Sequence, residues 1–131
     1  MAGIAKKDVV GRWRLVSYEA ASKDDVIYPM GKQAIGLLDY SADGKVSVHI
    51  MGEGYFAYYG DYTVDEAAST ITHHLEMASQ PSFVGASNLR RAELKGSTLI
   101  LSGEMTFEGK PRTIKVTWRK MGPRRARSGR A

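Results

Sequence analysis

Most of this chain alternates apolar and polar residues with a period of two, and short turn-forming stretches interrupt that alternation. Residues 71–77 are the clearest case, since Ile71, His73, Leu75 and Met77 fall on one face of an extended chain. That face is apolar apart from His73. The alternation therefore predicts a strand that buries one imidazole among hydrophobic side chains, where its pKa depends on the surroundings.

Turn sequences divide the chain into about eight such strands. Asp-Gly at 43–44 and Lys-Gly at 95–96 are typical of hairpin turns, and Glu-Gly at 108–109 precedes the last strand. Residues 6–10 and 86–88 have the composition of a helical turn. We therefore predict an all-β chain that forms a single up-and-down antiparallel β-barrel, which at about eight strands can hold one small ligand.

Positive charge is concentrated at the C-terminus. The chain has a formal net charge of +5, and four arginines between residues 124 and 130 supply all but one of these charges. No RNP-type aromatic motif, helix-turn-helix pattern or basic stripe accompanies them, so no nucleic-acid partner is expected. We predict one domain at residues 1–121 and a basic, disordered tail at residues 122–131.

The absence of cysteine excludes thiol catalysis, Cys-based zinc sites and disulfides. His73 and His74 point to opposite faces of the predicted strand, and no third inward histidine or carboxylate joins them, so no metal and no other cofactor is expected. No stretch reaches the roughly 20 apolar residues of a membrane span, and the N-terminus lacks a signal-peptide pattern. These features predict a soluble, cytoplasmic protein.

A tryptophan pattern marks both ends of the predicted barrel. Gly11 and Trp13 begin the first strand, and Trp118 and Arg119 end the last. This arrangement resembles the lipocalin pattern, in which a Gly-x-Trp tryptophan closes one end of the barrel and an arginine from the final strand packs on it. Such a plug keeps water out of the barrel floor, and a guanidinium stacks well on an indole.

A longer pattern resembles the small, stand-alone lipocalin-like proteins of bacteria and fungi, and it implies a lipocalin-like (calycin-like) barrel. Its segments lie at residues 11–17, 28–31, 36–40, 43–48, 57–62, 72–76, 81–85 and 90–94. The stretch between Met51 and Tyr58 is short here, whereas related sequences often carry a longer, partly helical insert. Because similar barrels in natural-product pathways include cyclases and isomerases, the resemblance leaves binding and catalysis open.

Candidate site residues follow from which face points inward. The predicted ligand-binding residues are Tyr40, Tyr58, Tyr62, His73, Leu75, Met77, Phe83, Arg90 and Trp118. Among them His73, Tyr58 and Arg90 are the candidate catalytic residues, with His73 as general acid or base or as a hydrogen-bond anchor. The alternatives are structural: a core histidine bonded to a tyrosine, an arginine bonded to strand ends, tyrosines that pack the wall, and a Phe83 tucked under its own turn.

Two functions of different class fit this pattern, and in a third possibility the barrel has no ligand cavity. The first is a protein that binds a small hydrophobic molecule, polyketide-, polyene- or lipid-like, in the cavity. The second is a cofactor-independent cyclase or isomerase that confines its substrate and moves a proton through His73 or an inward tyrosine. The third is a barrel filled by its own aromatic residues, which acts through its surface. The sequence leaves monomer and homodimer open.

Overall fold

Nine antiparallel strands make up nearly all the regular structure in residues 4–122, the part of the chain that this computed structural model describes. In chain order the elements are α1 (Lys6–Val9), β1 (Gly11–Ala21), β2 (Val26–Ile27), β3 (Ile35–Tyr40), β4 (Lys45–Met51), β5 (Tyr55–Asp65), β6 (Thr70–Ala78), a 3-10 turn (Pro81–Phe83), β7 (Ser87–Lys95), β8 (Thr98–Phe107) and β9 (Lys110–Lys120). The predicted tail falls almost entirely outside the described residues.

The sheet closes on itself. From β3 to β9 each strand pairs with the next, β1 pairs with β3, and β1 also pairs with β9 along most of its length. The two residues of β2 add a short extra strand to the end of β1. The predicted up-and-down barrel of eight strands is therefore confirmed. The helical turn predicted at residues 86–88 is wrong, because β7 begins at Ser87.

One end of the barrel is plugged. β1 begins and β9 ends there, and Val9 of α1 is fully buried beneath them. The Trp13 indole donates to the carbonyl of Val9 over 2.9 Å. Lys120 lies over the Trp13 ring, with its Nζ 4.8 Å from the ring centroid, and donates to the Val10 carbonyl.

The lipocalin pattern implied an arginine at that position, and this detail is wrong. Arg119 is exposed on the outer face, because strand alternation places Trp118 and Lys120 on the inner face. The cation on the tryptophan is therefore a lysine. The opposite end, formed by the turns after β4, β6 and β8, is open.

Two bulges change which side chains point inward. The first, between Leu15 and Ser17, turns Tyr18 into the barrel, whereas strict alternation from Leu15 would point Ser17 inward. The second lies where β5 meets β6: Gly60 pairs with Leu75 but the preceding Tyr59 pairs with Met77. Met77 is consequently 59% exposed, so its predicted inward position is wrong.

Candidate ligand-binding cavity

A cavity of about 480 Å³ occupies the open half of the barrel, so the interior is not filled by its own aromatic residues. Its wall is mainly apolar, with a few polar side chains among the hydrophobes, as is usual for small-molecule sites. The lining residues are Tyr18, Ile27, Pro29, Met30, Leu38, Val48, Ile50, Gly54, Tyr55, Phe56, Tyr58, His73, Gln80, Phe83, Asn88, Arg90, Leu101, Met105, Phe107, Glu108, Ile114, Val116 and Trp118.

His73 lies at the inner wall between two tyrosines. Its Nε2 is 2.6 Å from the Tyr40 hydroxyl, and its Nδ1 is 2.6 Å from the Tyr58 hydroxyl. Burial lowers the pKa of His73 to about 3, and the charges of Arg90 and His74 act in the same direction. At neutral pH the imidazole is therefore uncharged, with one nitrogen donating and the other accepting.

The bulge in β6, where Glu76 is the extra residue, sets the geometry of this contact. Gly60 pairs directly with Leu75, two residues after His73. A Cβ at residue 60 would overlap the carbonyl oxygen of His74, so the close approach of the two backbones requires glycine here. The bulge lets Tyr58, in the next inward position of β5, reach back to His73.

The tyrosines beside His73 stay protonated. Burial raises the pKa of Tyr40 well above its usual value, and the neighbouring phenols of Tyr58 and Tyr62 add to the effect. Burial also raises the pKa of Tyr58, against the opposing charge of Arg90. Both phenols are therefore hydrogen-bonding groups at physiological pH.

The structure places five of the predicted site residues in the lining: Tyr58, His73, Phe83, Arg90 and Trp118. Tyr40 and Tyr62 are buried below His73, toward the closed end, and the Tyr62 hydroxyl donates to the Ser41 carbonyl. Leu75 is buried but does not border the cavity. Tyr40 thus supports the wall from behind, because it contacts His73 rather than the cavity.

Arg90 brings a positive charge to the wall. Its guanidinium donates to the Leu89 carbonyl over 3.1 Å and lies 3.9 Å from the Met105 sulfur, and it forms no ion pair within residues 4–122. Gly103 on β8 leaves room for it, since a Cβ there would lie 3.0 Å from the Arg90 Nη1. The arginine therefore faces the cavity with spare hydrogen-bond donors.

Aromatic side chains border the mouth. Phe83, in the 3-10 turn, meets Phe56 edge to face with ring centroids 5.9 Å apart, and Phe56 meets Tyr58 in the same way at 5.5 Å. This row connects the outer rim to the hydroxyl beside His73. Phe83 therefore lies at the mouth of the cavity.

Several lining residues were missed from the sequence. Tyr18 was missed because the β1 bulge reverses the face. Phe56 lies two residues before Tyr58 on the same face of β5, so the alternation could have found it. Asn88 is the cross-strand partner of His73. Asn88 lies on the same face of β7 as Arg90, so the alternation of that strand could have predicted its inward position.

Within residues 4–122 no group of three or more histidine, aspartate or glutamate side chains lies close enough to hold a metal ion. His74 points outward, where its Nδ1 lies 2.9 Å from the Ser87 hydroxyl. The helices of the described region are also too short to cross a membrane.

Comparison with known proteins agrees with this architecture. The 4'-hydroxy-3'-methoxypropiophenone carrier protein of Aspergillus oryzae is 35% identical to this chain over 75 residues, covering 51% of this chain and 68% of that protein. The crystal structure of the lipoprotein YedD from Klebsiella pneumoniae superposes with a TM-score of 0.50 at 12% identity, over 96% of this chain and 82% of that one. That likeness concerns the fold alone.

The sequence model of the lipocalin-like domain matches residues 10–54 and 51–121. The two matched segments overlap at residues 51–54. Together they span every strand of the barrel. The chain belongs to the lipocalin-like domain family.

Proposed function

We propose that this protein binds a small hydrophobic molecule inside the barrel and acts as its carrier. The observation that carries the proposal is the cavity of about 480 Å³, which has an apolar wall and an aromatic mouth. The polar groups of the wall, chiefly Tyr58, Asn88 and Arg90, supply the few oriented contacts that fix a ligand.

An aromatic, polyketide-like molecule suits this cavity better than a polyene or a long lipid. The aromatic side chains at the mouth offer edge-to-face contacts to a ring. The relative from Aspergillus oryzae is named for an aryl ketone with a hydroxyl and a methoxy group.

We also propose that the protein is cytoplasmic, and cell fractionation tests this location.

The cyclase or isomerase alternative has weaker support. Both nitrogens of His73 are occupied by tyrosine hydroxyls, and its lowered pKa of about 3 makes it a weak base at neutral pH. Tyr58 remains a candidate proton donor, but its raised pKa makes it a weak acid. We therefore favour binding over catalysis.

Filling the cavity is expected to weaken binding. Leu101→Trp places an indole in the space that the ligand would occupy, so the Kd for 4'-hydroxy-3'-methoxypropiophenone should rise at least about tenfold, or roughly 1.4 kcal/mol. Titration calorimetry measures the change, and circular dichroism checks the fold. Ile100→Trp is the matched control, since Ile100 lies on the same strand and outside the lining. Equal affinities in the two variants would place the ligand outside the barrel.

Liquid chromatography coupled to mass spectrometry distinguishes a carrier from an enzyme. The same ketone is incubated with the full chain at substoichiometric concentration and then recovered. A carrier returns it unchanged. Conversion to an isomer of the same mass, lost in the Leu101→Trp variant, would overturn the carrier proposal in favour of an isomerase or cyclase.

A further inference from the structure

The Tyr40 hydroxyl has a single hydrogen-bond partner among residues 4–122. Tyr40 is fully buried, and its hydroxyl bonds to the Nε2 of His73 at 2.6 Å. A buried hydroxyl without an acceptor for its proton is costly. Tyr40 must therefore donate, and Nε2 must accept.

This direction propagates through the imidazole. Because His73 is neutral and its Nε2 accepts, the ring proton sits on Nδ1 and is donated to the Tyr58 oxygen 2.6 Å away. The hydroxyl proton of Tyr58 is then not used in the hydrogen bond with His73. Since Tyr58 borders the cavity, that proton points to whatever occupies the cavity.

Other donors without an acceptor border the same space. The buried Trp118 indole N–H has no hydrogen-bond partner in the described part of the chain, and Trp118 lines the cavity. Arg90 adds a guanidinium with spare donors. The carboxylate of the lining, that of Glu108, lies in the turn between β8 and β9 at the mouth. The inner wall therefore presents hydrogen-bond donors and lacks negative charge.

We propose that the cavity recognises the carbonyl oxygen of an aromatic ketone, that the Tyr58 hydroxyl donates the hydrogen bond to it, and that buried Tyr40 fixes this direction through His73. The inference rests on the ligand-binding function proposed above. Tyr58 is then a ligand-contacting residue. Tyr40 is a positioning residue that acts without touching the ligand.

The tautomer of His73 tests the direction in the protein without any ligand. Nitrogen-15 NMR of the full chain should show a neutral His73 with its proton on Nδ1 and a bare Nε2. In Tyr40→Phe, Nε2 loses its donor, so the proton should no longer be confined to Nδ1. A proton on Nε2 in the wild type overturns the proposal.

A pair of ligands tests the carbonyl. Propiophenone and propylbenzene differ by one carbonyl oxygen, and each can compete with the fluorescent dye N-phenyl-1-naphthylamine for the cavity. The preference is the Kd of the hydrocarbon divided by that of the ketone. It should fall about tenfold in Tyr58→Phe and at least about threefold in Tyr40→Phe, with each competition evaluated against the dye affinity of the same variant.

Tyr59→Phe is the matched control, because Tyr59 is the next residue of β5 and lies outside the lining. Its preference should equal that of the wild type. Dye binding with an unchanged preference in Tyr58→Phe overturns the carbonyl inference and leaves the carrier function standing. Failure of the wild type to bind the dye and both ligands contradicts the carrier function, and the carbonyl inference with it.

Discussion

Gly60→Ala is expected to lower the free energy of unfolding by about 3 kcal/mol or more, placing it among the most damaging single substitutions in the barrel. The added Cβ overlaps the His74 carbonyl oxygen, which is backbone and cannot move without breaking the β5–β6 pairing. At roughly 4 °C per kcal/mol for a domain of this size, the melting temperature should fall by more than about 10 °C. Differential scanning calorimetry measures it.

Gly54→Ala is the control for this substitution. The nearest side-chain atoms to a Cβ at residue 54 are the Met30 Cε and Sδ, at 3.7 and 3.9 Å, an ordinary contact distance. We expect a change within about 0.5 kcal/mol. If the two alanine variants melt together, the backbones at the bulge do not approach as described, and the reach of Tyr58 to His73 needs another explanation.

Acidification should destabilise the protein through His73. Burial lowers the pKa of this imidazole from an ordinary value near 6.5 to about 3, whereas the unfolded chain keeps the ordinary value. Between these values the unfolded state binds one more proton than the native state. The contribution of neutral His73 to stability is therefore fully present above about pH 6.5. Below that pH the free energy of unfolding falls by about 1.4 kcal/mol per pH unit, and the loss reaches about 3 kcal/mol at pH 4.5.

Urea unfolding between pH 7.5 and 4.5 measures this slope. His73→Gln retains a donor and an acceptor without a titrating ring, so its stability should be nearly flat over this range. His74→Gln removes the neighbouring imidazole on the outer face and should keep the wild-type slope. The range ends at pH 4.5 because the carboxyl groups of Asp25 and Glu104, whose pKa values are lowered by hydrogen bonds to Ser22 and Arg91, respectively, lose their stabilisation at lower pH. A wild-type slope in His73→Gln would contradict the burial of a neutral His73.

The barrel could be predicted because its signals are local. Alternation along each strand and the Asp-Gly and Lys-Gly turns are properties of neighbouring residues. The inward positions of His73 and Arg90 were found from alternation alone, since both lie in strand segments without a bulge. The same logic, continued from Trp118, places Lys120 inward, whereas the family resemblance pointed to Arg119.

The partners of His73 could not be predicted, because they depend on pairing between distant strands. Tyr40 lies 33 residues away from His73 and Tyr58 lies 15 residues away. A bulge adds one residue to one strand and has little local signature, which is why Met77 was placed inward and Tyr18 was missed. A glycine within a run of aromatic residues, such as Gly60, is the clearest sequence signal of a bulge here.

The two ends of the described chain lie at the plugged end of the barrel, since α1 leads into β1 there and β9 finishes beside it. A fluorophore, an affinity tag or a fused enzyme joined at residue 4 or residue 122 is therefore attached on the side opposite to the mouth. Such attachments leave the entrance to the cavity unobstructed. Immobilising the protein through a group attached at Gly122 should accordingly present every molecule on a sensor surface with its mouth toward the solution.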